Sequence, residues 1–377
     1  MANAANLINF GGSGAVVGDV VYSPTGLTAP SYLPLNNQYA SYLVSSYPTL
    51  GALYTTPVAA YAATGITPPT VSNIGSSMAY GNGVWVVAAP ASISGGVLTS
   101  VDGVNWVKKP VPIAITQVAY GNGRFVGYTA NGSALTTAYS LDGFNWVQGG
   151  NTTVGLFNLS YANGAFFIYR DGAGGGTINI STNGLVWNSV TSGTIPETHM
   201  AYGNGTIVVS ASQTFNAVGY SKDGGLTWTN QTVAGGQGLA FGNGIFVKMP
   251  ASGATAYATS PDGITWTART FPAALNWTLG SCITFGNGVF LAVSATSGTT
   301  AYSSPDGINW TLRALPSSRV WNAVRYGGPA NAGYFIALGG SATDNIANIT
   351  LSVAQTSFSL PLIPSIVSNT NSYIKAS

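Results

Sequence analysis

A short pattern of apolar and turn-forming positions recurs along the chain. An apolar residue, a spacer, a Tyr or Phe and then Gly-Asn-Gly lead into a second apolar run. This unit occupies residues 78–87, 118–128, 159–169, 200–209, 239–249 and 283–293, with Ala162 replacing the first glycine of the third copy. Its Asn stands at 82, 122, 163, 204, 243 and 287, so the copies lie 39 to 44 residues apart. Asn-Gly between two apolar runs predicts a tight hairpin, because both residues tolerate positive φ.

A second unit follows each first one after about twenty residues. Its key positions are Ser100, Asp102 and Trp106; Ser140, Asp142 and Trp146; Ser181, Asn183 and Trp187; Ser221, Asp223 and Trp228; Ser260, Asp262 and Trp266; Ser304, Asp306 and Trp310. A glycine follows each Asp or Asn. The acidic side chain is suited to accept bonds from the turn's N–H groups, and the glycine to take the strained position. The Trp is then expected to pack over the hairpin. Each repeat therefore reads as four short strands in about 41 residues, the size of a propeller blade.

A seventh copy is degraded. Residues 324–338 keep Tyr326-Gly327 and the apolar strand, with a longer turn. Residues 352–358 keep the length of the second unit, with Phe358 for Trp and Ala354 for Asp. The expected fold is all-β, a seven-bladed β-propeller over residues 74–358, with six blades the alternative if the last copy is not a blade. No strand outside the repeats obviously completes a blade, so the flanking segments are expected to hold the ring closed.

Composition narrows the function. Only 5% of the residues are charged, where about 25% is usual. A phosphate-tracking surface needs clustered Lys and Arg, so nucleic acid is excluded as a partner. Outside the repeats the carboxylates are Asp19, Asp171, Glu197 and Asp344, and His199 is the single histidine. Catalysis is thus hard to staff, and no catalytic residue, cofactor or metal is assigned. Cys282 is the single cysteine, so no intrachain disulfide forms. No apolar run of about 20 residues exists, which argues against membrane insertion. The N-terminus lacks the basic start and apolar stretch of a secretory signal.

Function is expected on the variable loops of a rigid frame. The two hairpin turns of each repeat share one face, and the longer connections lie on the other. Trp277 and Trp321 fall outside the repeat pattern and are expected in connections between blades, near Asn276, Asn322, Arg313 and Arg319. Trp with Arg and Asn suits contact with a carbohydrate or a protein, and filling gaps between blades is the other reading of the two Trp. Lys108, Lys109, Glu197 and His199 read as solvated loop residues.

The Ser-x-Asp-Gly-x-x-Trp unit resembles the Asp-box, or BNR repeat, of sialidase-like propellers, over roughly three quarters of the chain. The resemblance implies that Asp102, Asp142, Asn183, Asp223, Asp262 and Asp306 are structural turns away from any active site. A sialidase would imply three clamping Arg, a Tyr nucleophile with a Glu beside it, and an Asp acid. This chain has six Arg, and Glu197 is its one Glu, so a glycoside hydrolase is disfavoured.

The two ends resemble the tail-collar segments of bacteriophage tail and fibre proteins. The residues that carry this are Gly18-Asp19, Tyr32-Leu33-Pro34-Leu35, Tyr47-Pro48, Phe358 with Leu360-Pro361, and Tyr373-Ile374-Lys375-Ala376. Asn37 stands where Gly is commoner, and Gly51 interrupts an aromatic stretch. The resemblance implies a collar-like docking domain made of residues 1–73 and 359–377, with 55–72 as the connection and the propeller inserted between. It further implies a multicopy virion protein, extracellular after host lysis. Its ends would join other virion proteins, and its propeller would meet a host-surface glycan or protein. A decoration protein without a receptor is the alternative.

Overall fold

The computed structural model describes residues 20–23, 32–35, 41–43, 61–66, 77–89, 96–131, 134–152, 158–169, 177–191, 199–210, 217–275, 282–295, 298–329, 333–339, 346–350, 357–359 and 371–375. Among them are seven four-stranded antiparallel sheets. Six take their strands consecutively from 78–110, 117–152, 158–191, 199–232, 239–270 and 283–319, and each is one blade. Asn82, Asn122, Asn163, Asn204, Asn243 and Asn287 have φ of 45–48°, and the glycines after them have φ of 75–78°. Two successive positive φ values define the type I′ hairpin turn the sequence predicted.

The seventh blade is built differently. Its first three strands are Trp321–Gly327, Tyr334–Gly339 and Ile346–Thr350, and its fourth is Ala62–Ile66. Ile66 lies opposite Ile346 and Ala62 opposite Thr350. This corrects two expectations. A strand from outside the repeats does close the ring, and it lies inside the stretch read as a connection. Residues 352–358 do not supply the outer strand, since Ser357–Ser359 pairs instead with Ser41–Leu43. The closing strand also grips blade six. The Tyr61 hydroxyl donates to the Ala314 carbonyl at 2.7 Å, and the Arg313 guanidinium sits 5.4 Å from the Tyr61 ring centre.

The chain divides into two compact units, 61–351 and the pair 1–60 with 352–377. In the second unit Asn371–Lys375 pairs on either side with Val20–Ser23 and Tyr32–Leu35.

Neighbouring blades interlock at two levels. Near the channel, the glycine ending each first strand makes room for an aromatic ring of the next blade. A Cβ on Gly121 would overlap the Tyr161 ring, and one on Gly327 would meet Tyr80 of blade one, which completes the circle. Blade three carries Ala162 at this position, and there Tyr202 is 40% exposed instead of seated. Gly121→Ala is therefore expected to push Tyr161 outward in the same way, costing about 1–3 kcal/mol as overpacking does. A urea midpoint unchanged from the parent would contradict this packing. Nearer the turns, Asn122 donates from Nδ2 to the carbonyls of Gly164 (2.8 Å) and Thr182 (2.7 Å), while the Tyr161 hydroxyl donates to its Oδ1 at 2.6 Å. Asn204 likewise reaches Gly244 and Pro261. The Asn thus forms a turn in one blade and latches it to the next.

Candidate functional site: the acidic turns, the blade connections and the central channel

The acidic turns hold every described carboxylate. In blade five, Asp262 Oδ1 accepts from the N–H groups of Ile264 (2.8 Å) and Thr265 (2.7 Å), and the Ser260 hydroxyl donates to it at 3.0 Å. The Thr265 hydroxyl donates to Oδ2, and Trp266 Nε1 donates to the Gly263 carbonyl at 3.2 Å. Asp102, Asp142, Asp223 and Asp306 accept the same kinds of bond. Trp106, Trp146 and Trp228 repeat the bond to the glycine carbonyl, whereas Trp310 donates to the Tyr257 hydroxyl at 3.2 Å. Asn183 keeps it through one oxygen, accepting from the N–H groups of Leu185 and Val186.

These bonds stabilise the ionised form. Bonds from the Thr265 and Ile264 N–H groups bring the Asp262 carboxyl down to about 2, and the Thr227 hydroxyl and N–H do the same for Asp223. Burial raises Asp102 and Asp142, and the bonds from Asn105 and Asn145 outweigh it. Carboxyls held this way are spent on structure and make poor proton donors near neutrality.

Their sign is fixed by linkage. The folded value lies below the unfolded value of about 4, so the stabilisation is complete above about pH 4 and lost on acidification toward pH 2. The melting temperature is expected to fall steeply across that window. Asp262→Asn should soften the fall, as Asn183 shows that an amide keeps the turn. An acid profile identical in that variant would count against this role.

The sequence expects its candidate residues in the connections between blades, and the structure places the described ones elsewhere. Asn276, Trp277 and Glu197 lie outside the described residues. Trp321 is wholly buried in the first strand of blade seven, not in a connection, and its Nε1 donates to the Ser317 carbonyl at 3.3 Å. It offers no face to a ligand. Asn322, beside it, sits at an irregularity in the strand pairing between Trp321 and Ala323. Arg313 and Arg319 belong to the outer strand of blade six, Thr311–Arg319, where they bond to Ser303 (2.9 Å) and Ser317 (2.9 Å). Lys108 and Lys109 lie in the outer strand of blade one, Val107–Pro110, with the Lys109 ammonium 5.5 Å from the Phe144 ring centre. The structure thus spreads these groups over strands and does not gather them.

The first strands of all seven blades line a central channel of about 400 Å³. Gln117, Asn158 and His199 face it, together with Arg325 and the Ser160–Tyr169 hydroxyl pair at 2.9 Å. His199 begins the first strand of blade four, Met200 and Tyr202 following it, so it is a channel residue and not a solvated loop residue. Burial, helped by the nearby Arg325, pushes its pKa down to about 3, so the ring is neutral. Among the described residues no three His, Cys, Asp or Glu gather to hold a metal.

Several solved structures superpose on the described ring. YCF48 from Cyanidioschyzon merolae does so with a TM-score of 0.55 at 11% identity, over 77% of this chain and 98% of that one. The WD40 β-propeller domain of Doa1 gives 0.53 at 12%, over 78% and 98%. The Cps50 (Swd1) β-propeller domain of Myceliophteria thermophila gives 0.54 at 11%, over 76% and 98%. The fold is a seven-bladed β-propeller. At such identity the likeness shows the fold alone, and no family model or curated protein matches the chain.

One residue of the propeller escaped the sequence reading. Lys248, in the second strand of blade five, is fully buried and its Nζ has no hydrogen-bond partner. Burial pulls its pKa down to about 7. Aligning the repeats would have revealed it, because Val87, Gly127, Ile168, Val209 and Ala292 hold the same place.

Proposed function

We propose that this chain is a non-enzymatic bacteriophage virion protein, a tail or fibre appendage whose propeller attaches to a host-surface glycan or protein. One observation carries the reading. The segments that resemble tail-collar proteins are the ones that pair across the two ends of the chain. Tyr373 lies opposite Pro34 on one side and Val21 on the other, and Phe358 opposite Tyr42. A unit made from both ends of the chain, with the ring inserted between them in sequence, suits a docking module that carries a display module. The Asp-box resemblance fits turns whose carboxylates are committed to hydrogen bonds, and this supports display over catalysis. Weak contacts by single copies become useful through avidity when many are displayed.

The test removes residues 1–60 together with 352–377. Cutting further, to residue 73, would take away the closing strand Ala62–Ile66. The shortened ring is expected to fold and to bind host cells or an arrayed glycan, yet to fail to enter the particle. Normal incorporation without either end would overturn the docking role. Absence of binding by the full chain would overturn attachment and leave a structural role.

A further inference from the structure

Arg325 stands out when the seven first strands are aligned. Two residues before the strand-ending glycine, the other blades carry Ala79, Ala119, Ser160, Ala201, Ala240 and Thr284. Blade seven alone places a long cation there. Arg325 is half-buried and lines the channel. Its Nη1 donates to the neighbouring Val324 carbonyl at 2.9 Å. The described carboxylates are Asp102, Asp142, Asp223, Asp262 and Asp306, and each is engaged in its own turn, away from the channel lining. His199 is neutral there and adds no second charge. Among the described residues none supplies Arg325 a counter-charge. A largely desolvated charge left so is costly, and six sister positions show that the fold does not need one.

We infer that the central channel is a binding site for a compact oxyanion, a phosphate or carboxylate group held by the Arg325 guanidinium. The planar fork of guanidinium N–H groups matches two oxygens of such a group. Gln117 and Asn158, two residues earlier on their own strands than the Arg325 position, provide further hydrogen-bonding groups along the wall. A volume of about 400 Å³ accommodates a small ligand and not a folded partner. The site lies in the channel and not on the blade connections, so it stands or falls independently of host attachment.

The full-length chain would be titrated with inorganic phosphate and, separately, with acetate. Chloride would keep the ionic strength constant, and melting temperature and heat of binding would be read. At least one anion is expected to give a saturable rise in melting temperature, and the one that does identifies the oxyanion class. Arg325→Ala, which restores the residue of four sister blades, is expected to raise the half-saturation concentration at least tenfold. Arg325→Gln, neutral and of similar length, serves if the alanine variant melts without cooperativity. No saturable response to either anion in the parent, or a parent-like response in a folded variant, would overturn the assignment.

Discussion

Lys248→Met is expected to stabilise the protein and to flatten its response to alkali. The lysine occupies a core position between strands, with no exposed surface and no partner for its Nζ. Methionine has nearly the same length and shape and no charge to desolvate. The pH response has a definite sign. The folded-state pKa of about 7 lies below the unfolded value of about 10.4, so the unfolded chain binds the extra proton between them. Parent stability therefore rises from about pH 7 to about pH 10, by at most about 1.4 kcal/mol per pH unit, and is flat below pH 7 as far as this group is concerned. At pH 6 the methionine variant should melt higher, by an energy on the order of 3 kcal/mol. Equal slopes for parent and variant in melts from pH 7 to 10 would show that the ammonium is accommodated in the folded state.

Ile66→Asp is expected to act in the opposite direction and to open the ring. Ile66 is 8% exposed and joins Trp85, Trp106 and Ile346 in the cluster between blades seven and one. It is the buried residue of a strand whose other members are exposed or half-buried. The strand's adhesion thus depends on this side chain together with the pairing to Ile346–Thr350. Burying a carboxylate there without a partner costs about 3–5 kcal/mol. Ile66→Val removes one methylene and should cost about 1 kcal/mol. The aspartate variant should show an early, separate unfolding step, read by tryptophan emission from Trp85 and Trp106. A single transition at the parent midpoint would mean that the closing strand contributes little.

The frame of this molecule was legible because its turns are chemically demanding. Asn122 and its counterparts need positive φ, and the Asp262 position needs a short side chain whose oxygen can accept from the backbone N–H groups two and three residues ahead. Such requirements leave fixed letters at fixed spacing. The closing strand was not legible, because Ala62–Ile66 contains one large apolar residue and shows no alternation. Its trace in the sequence was indirect: a seventh repeat with Ala354 where the acid should be. Trp321 misled because a tryptophan outside the repeat suggests a surface contact, while Ala323 and Val324 beside it mark the start of a buried strand. Arg325 and Lys248 were visible all along as charges in columns of small or apolar residues. They carry no motif, so only a blade-by-blade alignment isolates them.

The closing strand also sets a schedule for synthesis. Ile66 pairs with Ile346, 280 residues later. At about 5–20 residues per second, the early strand emerges roughly 15–60 s before its partner exists. Blades one to six can assemble in order as they leave the ribosome, each on the edge of the last. The closing strand, made before all of them, must wait for the seventh blade to emerge, and that long-range pairing is the slow kind of contact. Until it forms, the outer edge of Ile346–Thr350 is an unpaired strand that a second copy of Ala62–Ile66 fits as well as the first. Crowded synthesis therefore favours exchange of this strand between neighbouring chains, and dilution favours closed single rings.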